Sequence, residues 1–167
     1  MVAERQNNIL NQLTEYITSA ERYNLYWIKY DNTTEQPIQE SLNVAGIQTI
    51  NIGLEFAKTL YSKKITKYIN IEAQELLQNL IERQSTFPHN IKIKTIALYN
   101  LGILFEPDLG LDPSQIIKAL SKTTAIILLW ENLSDDYGGL FWNMTKPQLG
   151  FDFTDTNLRE IIIHHEI

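Results

Sequence analysis

The sequence predicts a three-layer α/β domain, with a mainly parallel sheet and helices on both faces. Three observations predict it. Segments with apolar residues at helical spacing alternate with short apolar runs of strand length. Those runs are rich in β-branched and aromatic residues, which suit a pleated, buried surface. The most apolar of them, Thr124 to Trp130 (TAIILLW), shows no polar alternation, as expected of a strand covered on both faces.

The elements follow in order. Glu4 to Ala20 place Ile9, Leu10, Leu13, Tyr16 and Ile17 on one face of a first helix. Asn24 to Tyr30 (NLYWIKY) reads as a strand, and Asp31 to Gln36 as a polar loop. Pro37 fits the first turn of a short helix, where its missing N–H is no loss. Gly46 ends that helix, and Ile47 to Ile52 reads as a second strand. Leu54 to Tyr61 reads as a helix with Leu54, Ala57 and Tyr61 on one face. Asn70 to Gln84 is the clearest helix, with Ile71, Leu76, Leu77, Leu80 and Ile81 inward, and Pro88 marks the loop after it.

Ile91 to Tyr99 (IKIKTIALY) alternates and then turns fully apolar, as a strand does when it passes from a sheet's rim to its centre. Glu106 to Pro113 is a turn-rich loop, in which Asp112 reads as N-cap and Pro113 as first residue of a helix through Leu120. After Thr124 to Trp130, Asp136 to Gly139 reads as a turn and Leu140 to Met144 as an edge strand. Phe151 to Phe153 reads as another short strand, with a last short helix or turn capped by Thr154 or Asp155 and running into Ile161 to Ile163.

At 167 residues the chain reads as a single domain, 1–167, long enough to bury a core without staples. It contains no cysteine, which excludes disulfides, thiolate metal sites and a cysteine nucleophile. Met1 to Leu10 is polar, without the apolar core of a signal segment, and no apolar run reaches bilayer-spanning length; both point to the cytoplasm. The net charge of −6 opposes a broad electrostatic grip on nucleic acid. Lys58, Lys63, Lys64 and Lys67, with Lys92 and Lys94, read first as solvated element ends, and a small phosphate-facing patch is the sharper alternative.

Catalytic constellations are missing. In a domain of this kind the loop after the first strand often binds phosphate through glycines, a lysine and a hydroxyl, G-x-x-x-x-G-K-[ST]. Here that position holds Asp31, Asn32, Thr33, Thr34 and Glu35: no glycine, no lysine, and two carboxylates that repel a triphosphate. An ATPase also needs an acidic residue at an apolar strand end to hold Mg²⁺. Tyr99 stands at that position, and Gly102 stands where an acidic partner could sit. His164, His165 and Glu166 could ligate a metal but read as a frayed tail, and His89 as a solvated loop residue, so no metal and no cofactor is expected. Asp135 and Asp136 serve turn chemistry, and no acid–base pair stands out. Tyr23, Tyr26, Trp27 and Tyr30 could stack bases but read first as core.

From Ile50 onward the order of motifs resembles the small P-loop (BrxF-like) proteins of type 3 BREX phage-exclusion systems. The likeness rests on Ile50 to Phe56 (INIGLEF), on Leu104 to Pro113 (LFEPDLGLDP), and on Thr124 to Trp130 followed by Gly138-Gly139-Leu140. It covers roughly two-thirds of the chain, and the loop from Phe105 to Pro113 is its distinctive part. That family carries an intact GxxxxGK[ST] loop and an aspartate on the strand matching Ile96 to Tyr99, and this sequence departs at both. The resemblance implies a degenerate P-loop-NTPase-like domain, a pseudo-ATPase acting as an interaction or regulatory subunit of an antiphage defence complex. It puts ATP binding itself in doubt.

Two other readings stand beside that one. One is a ligand-binding or enzymatic domain with a site at the carboxyl ends of the strands, near Asn51, Tyr99, Asn100 and Trp130. The other is a nucleic-acid-associated module using the lysines. For a protein partner, the expected surface runs from Tyr137 to Met144 and on through Lys146 to Leu149, an exposed strand edge with Phe141 or Trp142 as aromatic anchor.

Overall fold

A computed structural model describes residues 2–19, 21–60, 68–131, 133–134, 139–141 and 150–163. In chain order these form α1 (Val2–Thr18), β1 (Leu25–Lys29), α2 (Glu35–Val44), β2 (Gln48–Asn51), α3 (Ile52–Leu60) and α4 (Ile69–Gln84). There follow β3 (Thr95–Tyr99), α5 (Pro113–Leu120), β4 (Ala125–Trp130), β5 (Leu133–Ser134), β6 (Gly139–Phe141), β7 (Gly150–Asp152) and β8 (Arg159–Glu160). Two 3₁₀ turns, Gly102–Phe105 and Pro107–Leu109, lie between β3 and α5.

The main sheet is parallel throughout, in the order β2-β3-β4-β1-β8. Right-handed crossovers fix which helix lies on which face. The connection from β1 to β2 runs across the sheet in one direction; those from β2 to β3, β3 to β4 and β4 to β8 run in the other. The first therefore covers one face and the rest cover the opposite face. The packing agrees. Tyr26, Ile28, Ile127 and Leu129 point toward α1 and α2 and meet Ile9, Leu13, Ile38 and Leu42. Leu25, Trp27, Ile126, Leu128 and Trp130 point the other way and meet Phe56, Leu77, Ile81 and Ile117.

All six residues of β4 are buried, as its unbroken apolar run predicts. Asp112 caps α5 as expected, its carboxylate accepting from the Gln115 N–H at 3.3 Å.

Several expectations need correction. The third strand begins at Thr95, not Ile91, because Lys92 and Lys94 are exposed and Thr95 makes an isolated antiparallel bridge to Thr86. In α3 the buried residues are Ile52 and Phe56, while Leu54 and Ala57 are exposed and Tyr61 lies outside the described residues. The helix begins two residues earlier than expected, so Ile52 belongs to its inner face rather than to a strand. On α4, Ala73 takes the inward place expected for Ile71, which is half exposed.

β6 is not an edge over its described length. It pairs with β5 on one side and β7 on the other in a small antiparallel sheet. Finally, of the helix or turn expected after Thr154 it is the turn that forms, and it leads into an unexpected element, β8, a fifth parallel strand. α1 holds that strand in place. The Tyr16 hydroxyl donates to the Glu160 carbonyl at 2.8 Å, and the Gln12 amide both donates to the Ile162 carbonyl (2.7 Å) and accepts its N–H (2.9 Å).

Candidate functional site

The strand order has a switch point at the centre of the sheet, where β1 sends its connection one way and β4 the other. Ligands of open α/β sheets bind in the crevice outside the carboxyl ends of strands at such a point. A cleft of about 300 Å³ lies there, lined by Lys29 at the end of β1, Tyr30 and Asp31 after it, Glu131 after β4, and Glu160 to Ile163 from β8 onward.

Its floor is the junction from β1 to α2, and that junction is short. β1 ends at Lys29, and Asp31 already caps the following turn. The Asp31 carboxylate accepts the Thr33 N–H at 2.8 Å, the Thr33 hydroxyl at 2.6 Å and the Thr34 N–H at 3.0 Å. In return the Asp31 N–H donates to the Thr34 hydroxyl at 2.9 Å. The Asp31 carboxylate thus takes two N–H groups of the turn that leads into α2, and the Glu35 N–H, first of the helix, donates to the Asp31 carbonyl at 2.9 Å. The Thr33 hydroxyl and N–H hold the Asp31 carboxyl below its usual pKa. Asn32 and Glu35 add no cation to the loop. Tyr30 is buried beneath the junction, and burial, with Glu131 and Glu35 adding to it, pushes its phenol up to about 12, so it stays protonated and is no general base.

The second expected ATPase position is equally occupied. Tyr99 is half-buried against the Tyr30 side of the sheet, and Gly102 opens a 3₁₀ turn; neither offers a carboxylate. Asn100 beside them takes a left-handed backbone (φ 55°). Its side-chain amide donates to Asn51 Oδ1 at 2.8 Å, and Asn51 Oδ1 also accepts the Leu54 N–H at 3.0 Å at the start of α3. The Asn100 carbonyl accepts the Gly53 N–H at 3.0 Å. A Cβ on Gly53 would stand 2.4 Å from the Asn100 amide, which is why glycine fits there.

Asn51, Tyr99 and Asn100 thus gather at the ends of β2 and β3, but Trp130 does not join them. It points to the other face, buried edge-to-face against Phe151 with ring centres 5.6 Å apart. The cleft that does form, at β1, β4 and β8, is not foreseeable from strand patterns, because β8 is a two-residue strand of charged side chains, Arg159 and Glu160. The nearby apolar residues Ile161 and Ile163 were the available signal.

The remaining candidates divide. Tyr26, Trp27 and Tyr30 are core, as expected, while Tyr23 is half-buried. Lys58, Lys92, Lys94 and His89 are exposed. Lys63, Lys64, Lys67, Asp135, Asp136, Trp142 and the His164–Glu166 tail lie outside the described residues; Phe141 is placed only by its backbone, paired with Leu133 and Gly150. The loop from Phe105 to Pro113 serves the packing of the fold. Phe105 lies edge-on against Phe151 at 4.8 Å, Leu109 is buried, and Gly110 (φ 58°) ends the second turn beside Asn70 of α4.

Among the described residues no three His, Asp or Glu side chains converge to hold a metal ion, and no helix is long and apolar enough to cross a membrane. Neither the known protein-family models nor the curated proteins include a match to this sequence.

Proposed function

We propose that the chain is a pseudo-ATPase of P-loop ancestry, a non-catalytic subunit that acts by binding protein partners within a bacterial antiphage defence complex. One observation carries the nucleotide half of this reading: the Asp31 carboxylate holds the Thr33 and Thr34 N–H groups of the turn that leads into α2, donors that a phosphate in this loop would need. The five residues from Tyr30 to Thr34 that link β1 to α2 include no glycine and no lysine, and Tyr99 supplies no ligand for Mg²⁺. The defence half rests on the likeness of Ile50 to Phe56 and Leu104 to Pro113 to the BREX family.

Deleting the gene in its native host and measuring phage plating tests the defence role. Loss of protection, restored equally by the wild-type chain and by a folded Asp31→Ala chain, is the expected result. Unchanged plating on deletion would remove the defence assignment.

One observation favours a second reading, a ligand-binding domain: the cleft over β1, β4 and β8. Its Asp31, Glu131 and Glu160 carboxylates against a single Lys29 would reject phosphate esters, so a ligand there would be neutral or cationic.

A further inference from the structure

The two edges of the main sheet differ in how they meet solvent. At one edge β8 has only two residues, Arg159 and Glu160, both charged, and Gln12 of α1 takes up the N–H and carbonyl of Ile162 just beyond it. Charge and cover are devices that keep a sheet edge from pairing with other strands. At the other edge β2 carries neither charge nor proline. Its residues are Gln48, Thr49, Ile50 and Asn51, and no charged residue occurs between Glu40 and Glu55. Gln48 is exposed, and Thr49 and Asn51 are half-exposed.

The ladder fixes which backbone groups of β2 face outward. Along a strand, the N–H and C=O of one residue point to one side and those of the next to the other. The Ala125 N–H donates to the Lys94 carbonyl at 2.8 Å, so even-numbered residues of β3 turn toward β4 and odd-numbered ones toward β2. With Thr49 beside Ala97, the groups of Gln48 and Ile50 meet β3, and those of Thr49 and Asn51 point away from the sheet. Among the described residues, neither the N–H nor the carbonyl of Thr49 has a hydrogen-bond partner on that side, nor has the Asn51 N–H or the Ile47 carbonyl. The other two groups along this edge are committed. The Ile47 N–H donates to the Leu42 carbonyl at 2.9 Å. Asn51 caps α3 through its side chain, and its carbonyl takes the first bond of that helix.

We propose that the chain forms a twofold dimer in which the β2 edges of two copies pair antiparallel, centred on Thr49. About that centre Thr49 and its counterpart exchange both N–H···O bonds, and the Asn51 N–H of each copy reaches the Ile47 carbonyl of the other. The committed groups, the Ile47 N–H and the Asn51 carbonyl, then fall opposite each other, so no free group meets a committed one. A regular strand from another protein would bring a carbonyl to the committed Ile47 N–H and an N–H to the committed Asn51 carbonyl. The edge is therefore complementary to itself, as a twofold contact requires. Because it is uncharged, two chains of net charge −6 meet there without like charges across the pair. None of these residues takes part in the Asp31 junction, so the dimer stands or falls apart from the pseudo-ATPase reading.

Sedimentation velocity over a concentration series tests it. The wild-type chain should pass reversibly from monomer to dimer. Thr49→Lys and Thr49→Glu each set like charges across the centre and should weaken association about fivefold or more. An equimolar mixture of the two should recover it, because lysine then faces glutamate. Lys122→Glu, an exposed position on another part of the fold, should change it less than about twofold. Hydrogen exchange gives a reading that needs no variant: the Thr49 and Asn51 amides should exchange more slowly as the wild-type dimer forms. A wild-type chain that stays monomeric at every concentration overturns the proposal, as do folded Thr49 variants that associate like the wild type or fail to associate when mixed. A dimer that leaves the Thr49 and Asn51 amides unprotected overturns it too.

Discussion

Asp31 and Thr34 cap each other: the Asp31 carboxylate accepts the Thr34 N–H at 3.0 Å, and the Thr34 hydroxyl accepts the Asp31 N–H at 2.9 Å. This is the reciprocal pattern of a capping box, closed here on the turn that leads into α2. It sits at the junction of β1 and α2.

The cap gives a stability difference with a defined pH range. Asp31→Ala should lower the melting temperature, and Asp31→Asn should lower it less, because an amide oxygen still accepts the N–H groups. The folded-state pKa of Asp31 lies below 3.8. The wild-type advantage over Asp31→Asn is therefore full above that value and shrinks as pH falls through the lowered pKa. Thermal melts of both chains from neutral pH down to acid check the direction; a gap that widened on acidification would contradict the cap.

The Asn51–Asn100 clasp predicts the cost of one variant and the order of two others. Gly53→Ala should cost about 1–3 kcal/mol, because its Cβ would collide with the Asn100 amide. Asn100→Ala and Asn100→Gly both lose the bond to Asn51, but only alanine strains at φ 55°. Asn100→Ala should be the less stable of the two by about 1 kcal/mol. Urea titration of the three measures it.

α3 offers a test of which face is buried. Phe56→Ala should cost about 3–5 kcal/mol, whereas Leu54→Ala should fall within about 0.5 kcal/mol of the parent, since Phe56 is 1% exposed and Leu54 48%. The same titration decides it.

The Gln12 amide stands in for a neighbouring strand beside Ile162. Gln12→Ala should speed hydrogen exchange at the Ile162 amide while exchange in β4 stays slow. Native-state exchange read by NMR distinguishes the two sites.

The core strands were legible because their signals are local. Ala125 to Trp130 carries its burial in its own composition, and Asp112-Pro113 announces the start of α5 in two residues. Asp31 and Glu35 announced a loop hostile to phosphate. What stayed hidden depended on partners distant in sequence. β8 is a strand because β1 and α1 hold it, through Trp27, Tyr16 and Gln12. Ile71 looked inward by spacing, but the register of α4 gives that place to Ala73. The use of Asp31 as an internal anion was equally invisible, since a carboxylate after a strand reads the same whether it repels a ligand or replaces one.

Calorimetric titration with Mg-ATP tests the central claim most directly. It is best run on the wild-type chain and on Tyr99→Asp, which places a carboxylate at the end of β3. Because the Asp31 carboxylate holds the Thr33 and Thr34 N–H groups in both, and the loop has neither glycine nor lysine, neither chain should bind ATP at physiological concentration. Tyr99→Asp should lose about 1–3 kcal/mol of stability through a partly buried carboxylate. A dissociation constant in the low micromolar range for the wild-type chain, or ATP hydrolysis by a Tyr99→Asp chain as stable as its parent, would contradict the account.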